Sequence, residues 1–447
     1  NTDDNFVEYI SLKPNPFFAL FKSILIEKYD YKEVKQNYFK EYDWIWKFLV
    51  YLSILDFYLI KKLLDKKIYS DSLSSIIEEK KLFTSTGVNI GGGDKNDASH
   101  LVNLPYIDNK NKDLNRYYIN YRKESLWTKE VVHRPRRVDA YKAPVLLIKN
   151  SLLNNFKLVA SILSTDAVYT KNVFGIKSYS DAIILKKILG VLTSDLSNYF
   201  LFISGTSTGI EREQIMFEEL YPFPIILSDE IAETVERLLS LNNEKHNSIN
   251  DNYYDDLIQK EEDSLNHLIY NLYKFSAKDK YLLDYAFNIS IPSFKMGTSV
   301  SKSYKKFPPY KVLKFKSQEL ELYANILINH YNRLGGNIEK IVHATIYCTE
   351  NVIAINFDFK NELLIENIIW KQEGKGYLDF LATTAFQKVS SHLFIQKDIK
   401  GIRKDSFYVI KPNQVKLWHP AIAHLDILEF DNKMINLELN QTENVPL

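Results

Sequence analysis

Nine arginines occur in 447 residues, and five of them, Arg116, Arg122, Arg134, Arg136 and Arg137, fall within one stretch of 22. Lys123 and Lys129 add charge to that window, only Glu124 and Glu130 subtract from it, and Tyr117, Tyr118, Tyr121 and Trp127 interleave. A guanidinium is a planar, permanently charged fork that can hold a phosphate, or the O6/N7 edge of guanine, with two bonds. The chain uses lysine for most of its positive charge, so this concentration of arginine points to a nucleic-acid surface. The competing reading is that the same arginines sit in structural ion pairs or stack on the tyrosines.

Two other constellations could do chemistry. Asp358, at the end of a strand-like run, with Glu373 and Lys375 of Glu-Gly-Lys, echoes the Asp…Glu-x-Lys spacing that holds Mg²⁺ and positions a water. The Glu-Gly-Lys lies in a turn-like stretch, however, and such spacing recurs by chance in a chain with 25% charged residues. His419, His424, Asp426 and Glu429 lie close together in sequence, but five residues and Pro420 separate the histidines, which does not place them on one helical face. Buried, hydrogen-bonded histidines are the better reading, and no metal is expected. The single cysteine, Cys348, excludes a disulfide framework and a cysteine-based zinc site.

These residues must be positioned by an ordinary globular chain: 45% hydrophobic, net charge +1, long enough for about three domains. The acidic, polar start is no signal peptide, and one cysteine suits a reducing, cytoplasmic setting. The opening Asn1 suggests a piece of something longer. The most apolar run, residues 44–60, is shorter than the roughly 20 residues a membrane span needs and contains Lys47 and Asp56. A buried helix is expected there, and no membrane.

Residues 16–64 read as helices broken near Tyr29–Tyr31, and residues 70–82 as a short helix capped by Ser70 or Ser72. Residues 84–101 are Gly, Ser, Asn and Asp with almost no apolar side chain, so a loop. Strand-like runs follow at 145–148 and 166–170. One helix is expected from about 178 to 203, capped by Ser178 or Ser180, a second over 228–244 behind Ser228, and a third over about 254–288. Residues 290–310 read as a linker. Beyond it come a helix ending at Gly335–Gly336 and alternating runs at 340–348 and 351–359, an α+β unit with an antiparallel sheet.

Three stretches in order, IWKFLVYLSILDFYLIKKLL (45–64), VHRPRRVDAYKAPVLLIKN (132–150) and SGTSTGIEREQI…EELYPFPI (204–225), resemble the C-terminal half of adenine-N6 DNA methyltransferases of restriction–modification and phage-defence systems. The Eco57I-like, type IIG branch is the most similar, and residues 394–430 resemble a C-terminal extension of some of these proteins. In that family a target-recognition domain follows the catalytic domain and ends in a proline pair before a helical spacer. The resemblance implies that Ser204, Thr206, Ser207 and Thr208 approach DNA, since each hydroxyl can donate and accept. It also implies that Glu211–Gln214 open a short helix carrying Arg212, and that Pro222 and Pro224 fix the turn into the spacer. Lys171 and Lys177 join the candidate DNA contacts.

The family's catalytic tetrapeptide, Asp/Asn-Pro-Pro-Tyr/Phe, grips a flipped adenine. The only Pro-Pro-aromatic here is FPPY (307–310), and Phe307 cannot accept a hydrogen bond from an amine. IGGGDKND (90–97) lacks the strand and helix that would make it a cofactor cradle. No catalytic or cofactor-binding residue is therefore assigned. S-adenosylmethionine and methyl transfer are expected in a separate catalytic domain or subunit, and this chain alone is expected to be inactive.

The resulting expectation is an α+β protein with a helical segment (1–83) joining a catalytic domain, a mixed α/β target-recognition domain (84–226), a helical spacer (227–289), a linker (290–310) and an α+β accessory domain (311–447). Its function would be sequence-specific recognition of double-stranded DNA. The alternatives are an interaction or scaffold subunit of a defence complex and a Mg-dependent nuclease.

Overall fold

The structure is a computed structural model. It describes residues 5–12, 23–93, 95–108, 112–206, 214–248, 251–296, 308–334, 341–361, 366–372, 386–390, 393–396 and 398–443. The class is α+β. The chain divides into two compact units, Phe57–Ser276, and Asn1–Asp56 together with Ala277–Leu447.

The Phe57–Ser276 unit is built on a four-stranded antiparallel sheet. Its order is Ala160–Leu163, Val145–Lys149, Val173–Lys177, Phe83–Thr86. Val145–Ile148 is a continuous apolar run buried along its whole length, as a central strand requires. Phe83–Thr86 is one of the two edge strands, so part of the stretch expected as loop is in the sheet.

Four expected helices change. The one expected over about 254–288 is broken after Leu272, where Lys274 takes φ 51°, into Asp251–Leu272 and Ala277–Tyr285. Three others differ at their ends. The helix expected from 178 to 203 is two, Ile183–Thr193 and Asp195–Ser204, because Ser194 leaves helical geometry and its Oγ accepts the Ser197 N–H at 3.3 Å. The first begins behind Ala182 and not at Ser178 or Ser180; Asp181 supplies the acceptor for the Ile183 N–H, at 2.8 Å. Leu73–Glu79 is capped by Ser72, one of the two serines expected. Asp229–Asn247 follows Ser228, though that hydroxyl makes no capping bond. It packs on Asp251–Leu272, with Arg237–Glu261 and Lys245–Asp255 pairs of 2.6 Å each between them.

The Pro222–Pro224 turn, which runs into Asp229–Asn247, is pinned by residues distant in sequence. Pro224 bridges Ser72, the Phe223 carbonyl accepts the Leu73 N–H at 2.9 Å, and the Tyr273 hydroxyl donates to the Pro224 carbonyl at 2.6 Å.

The other unit holds a five-stranded sheet ordered Ile368–Lys371, Ile341–Cys348, Val352–Lys360, Ser406–Pro412, Ile399–Arg403. The alternating runs are strands, as read, but the sheet is mixed: Ile368–Lys371 joins parallel to Ile341–Cys348. Gln318–Leu334 and Pro420–Glu443 pack together over a core containing Tyr323, Phe407, Trp418 and Phe430.

The N-terminal region is not all helical. Tyr31–Lys35 pairs with Phe6–Ile10, and Ile24–Ile26 runs parallel to Leu393–Gln396. Local pattern could not reveal a strand whose partner lies 369 residues away. The expected linker 290–310 is helical at its start, where the π turn Ala286–Ser290 runs on into Ile291–Met296, and Tyr310 at its end is buried beneath the Lys416 ammonium. The run 44–60 forms Ile45–Tyr51 and part of Ile54–Leu64, with Lys47 and Asp56 buried. Among the described residues, no helix is long and apolar enough to cross a membrane.

Candidate nucleic-acid interface

The edge strand Phe83–Thr86 continues in extended form to Asn89, and cations from two distant parts of the sequence gather along it. The Arg137 guanidinium lies 5.1 Å from the centre of the Phe83 ring. Arg136 donates from Nη2 to Thr86 Oγ1 at 2.7 Å and from Nε to the Gly87 carbonyl at 3.4 Å. Beyond it, the Lys171 N–H donates to the Val88 carbonyl at 2.9 Å, and Arg134 exchanges both backbone bonds with Asn89 at 3.0 Å. Arg134 and Lys171 thus flank residues 88–89, about 10 Å apart at two strand spacings. Seven extended residues at about 3.3 Å each span roughly 20 Å, some six base-pair steps of 3.4 Å.

Buried tyrosines set the Arg-Pro-Arg-Arg turn. Tyr141, with no exposed surface, donates to the Pro135 carbonyl at 2.6 Å, and Tyr169 donates to the Ala140 carbonyl at 2.9 Å. Arg136 is held at φ 68°, a left-handed conformation costing a non-glycine residue on the order of 1 kcal/mol. Packing beneath the turn over-determines the orientation of its cations.

The charges are not all available. Arg134 and Lys171 are exposed, and neither side chain has a hydrogen-bond or ion-pair partner among the described residues. Arg137 is 71% exposed and pairs with Asp139 at 2.9 Å, an exposed contact of little net worth that a phosphate can displace. Arg122 pairs with the buried Asp113 at 2.8 Å and is 35% exposed.

Two expected contacts are buried instead. Arg116 bonds Glu262 at 2.5 Å and the carbonyls of Leu158 and Thr193 at 3.1 and 2.6 Å. Burial works against the Glu262 carboxylate, but Arg116 and Lys157 outweigh it and hold its pKa below the ordinary value. Here the competing sequence reading, structural ion pairing, describes the geometry. Lys177 is 7% exposed and donates to the Lys142 carbonyl at 2.5 Å, because its position at the end of a buried strand points it into the fold.

The hydroxyl loop divides similarly. Ser204 donates back to the Phe200 carbonyl at 2.8 Å, within its own helix. The Thr206 N–H and hydroxyl both donate to Glu219, at 2.6 and 2.7 Å. These two hydroxyls serve the fold, while Ser207, Thr208 and Arg212 lie outside the described residues. The resemblance implied a helical Gln214; instead it is extended and bridges Ser151. That bridge sits at the end of the sheet where Asn150 accepts from Ile215 and donates to Asn172, the residue after Lys171. Gln214 therefore stands at the sheet end that carries Lys171.

Of the other constellations, Glu373 and Lys375 lie outside the described residues, and Asp358 pairs in register with His343 and Ser406. His419 bonds Asp284 at 2.8 Å, while Asp426 and Glu429 face lysines. The segment Phe83–Asn89 itself was missed. Only its Thr-Ser-Thr run hinted at a strand, and nothing local could show which cations it gathers. No family model and no curated protein matches the chain.

Proposed function

We propose that the Phe57–Ser276 unit is a target-recognition domain for double-stranded DNA, and that the chain is the specificity portion of an adenine-N6 DNA methyltransferase of a restriction–modification or phage-defence system. One observation supports the reading above others: Arg134, Arg136, Arg137 and Lys171 are gathered along a single extended segment, residues 83–89, of about 20 Å. These cations supply sequence-independent attraction to phosphates, which positions the protein. Base reading falls to Arg212, with the hydroxyls of Ser207 and Thr208. S-adenosylmethionine and the methyl-transfer step belong to a catalytic domain or partner subunit, and this chain supplies binding and orientation.

A protein-interaction reading draws on the other unit, where Phe6, Ile10 and Tyr31 of the two-stranded ribbon are 45–57% exposed. A titration of the whole chain with random-sequence duplex separates the two. The DNA reading requires binding, with a dissociation constant on the order of 10⁻⁶–10⁻⁴ M at physiological salt, tighter at low salt. Arg134→Ala with Lys171→Ala should weaken it at least about tenfold, equally across sequences, from two lost charge-assisted contacts. No binding at low salt leaves the interaction module as the surviving reading.

A further inference from the structure

The glycine run that follows the cation-lined edge is only partly explained by the fold. The chain leaves its ladder at Asn89, opposite Arg134, and rejoins it at Asn96, opposite Val132. Between them, Gly92 has φ 143°, and a Cβ there would come within 2.4 Å of the His133 ring. The fold therefore requires glycine at 92.

Gly91 and Gly93 differ. A Cβ on either would meet nothing within 4 Å, and neither has positive φ. Alanine fits both positions, and it would reduce the freedom of the unfolded chain. Among the described residues, no backbone hydrogen bond joins Ile90, Gly91, Gly92 or Gly93 to the rest of the chain. The run is exposed; Asp94 follows it in the sequence, then exposed Lys95, with exposed Arg134 across the ladder.

We propose that this loop lies against the sugar–phosphate backbone of the duplex, with Gly91 and Gly93 kept bare so that their peptide N–H groups reach phosphate oxygens. Glycine permits the close approach of a second backbone, and main-chain N–H groups are regular phosphate donors. Lys95 and Arg134 outweigh the single carboxylate of Asp94 in sequence and supply the attraction, and Gly92 supplies the shape under His133. The inference rests on the DNA reading above and adds a second contact element to it.

The test is the Gly91→Ala/Gly93→Ala variant of the whole chain, compared with wild type for thermal midpoint and for affinity to random duplex at low salt. Hydrogen exchange of residues 88–96 is measured with and without DNA. The expected result is an unchanged or raised midpoint, affinity lower by roughly fivefold, the worth of about one hydrogen bond, and slowed exchange on binding in the wild type only. Unchanged affinity and exchange, in a preparation where Arg134→Ala/Lys171→Ala still weakens binding, would overturn the loop contact and leave the DNA reading standing. A wild-type chain that binds no duplex at low salt overturns both.

Discussion

Replacing Arg116 with alanine is expected to lower the stability of the Phe57–Ser276 unit by about 3–5 kcal/mol, the usual consequence of removing one partner of a buried ion pair, while leaving the salt dependence of DNA binding unchanged. The guanidinium is 11% exposed and Glu262 9%. Its loss leaves the carboxylate with Lys157 alone, at 3.0 Å, and takes a donor from the Leu158 and Thr193 carbonyls. The effect has a pH signature. Glu262 has a depressed folded pKa, so its contribution is present above the unfolded value of about 4.3 and is lost as pH falls through the lower, folded value. The variant, having less to lose, should show a shallower decline in acid than wild type. Hydrogen exchange of the central strand Val145–Lys149 at pH 7 and in mild acid reads both quantities. An intact strand with a flattened salt slope would make Arg116 a DNA contact after all.

Asp426→Asn should cost the other unit a similar amount, about 3–5 kcal/mol. Asp426 has no exposed surface and receives Lys400, Lys411 and the Tyr323 hydroxyl. Around it Lys28, Lys400 and Lys411 balance Asp398, Asp426 and Glu429, with Lys28–Asp398 at 3.2 Å and Lys400–Glu429 at 2.6 Å. Burial opposes the Asp426 carboxylate, but Lys411, Lys400 and Lys28 hold its pKa far below the usual range. Removing its charge leaves an ammonium in excess.

Lys400 identifies which one responds. Burial foremost, with Lys411 and Lys28, pushes its pKa down to about 8 against the pull of Asp426 and Glu429. Its unfolded pKa is about 10.4. Between these values the unfolded chain binds more protons, so stability rises with pH. A neutral Lys400 no longer needs the carboxylate, and the deficit of Asp426→Asn should shrink from pH 7 to pH 9. Urea midpoints of both proteins at the two pH values measure this; a deficit that stays constant would mean that the cluster tolerates the extra charge by another route.

What the sequence disclosed follows from the range of the interactions. Val145–Lys149, Ile341–Cys348 and Val352–Lys360 were legible because apolar run and alternation are local properties. Ser72 announced its helix for the same reason. The division at Ser194 was not legible, since the apolar spacing continues through it while the backbone does not. Partnerships across the chain were invisible. Nothing near Arg116 in sequence reveals a carboxylate 146 residues on, and it shared its window with Arg134, whose side chain faces solvent. Arginine density located the region; burial, which depends on distant elements, separated its structural members from its exposed ones.

The cation-lined edge is tested most directly by the salt dependence of duplex binding, compared between the wild-type chain and the Arg134→Ala/Arg136→Ala/Arg137→Ala/Lys171→Ala variant. Each phosphate contact contributes about 0.9 to the slope of log K against log salt. If all four cations meet phosphate, the variant's slope should be shallower by about 3.6, with the central strand still protected from exchange. Equal slopes for two folded proteins would contradict the account.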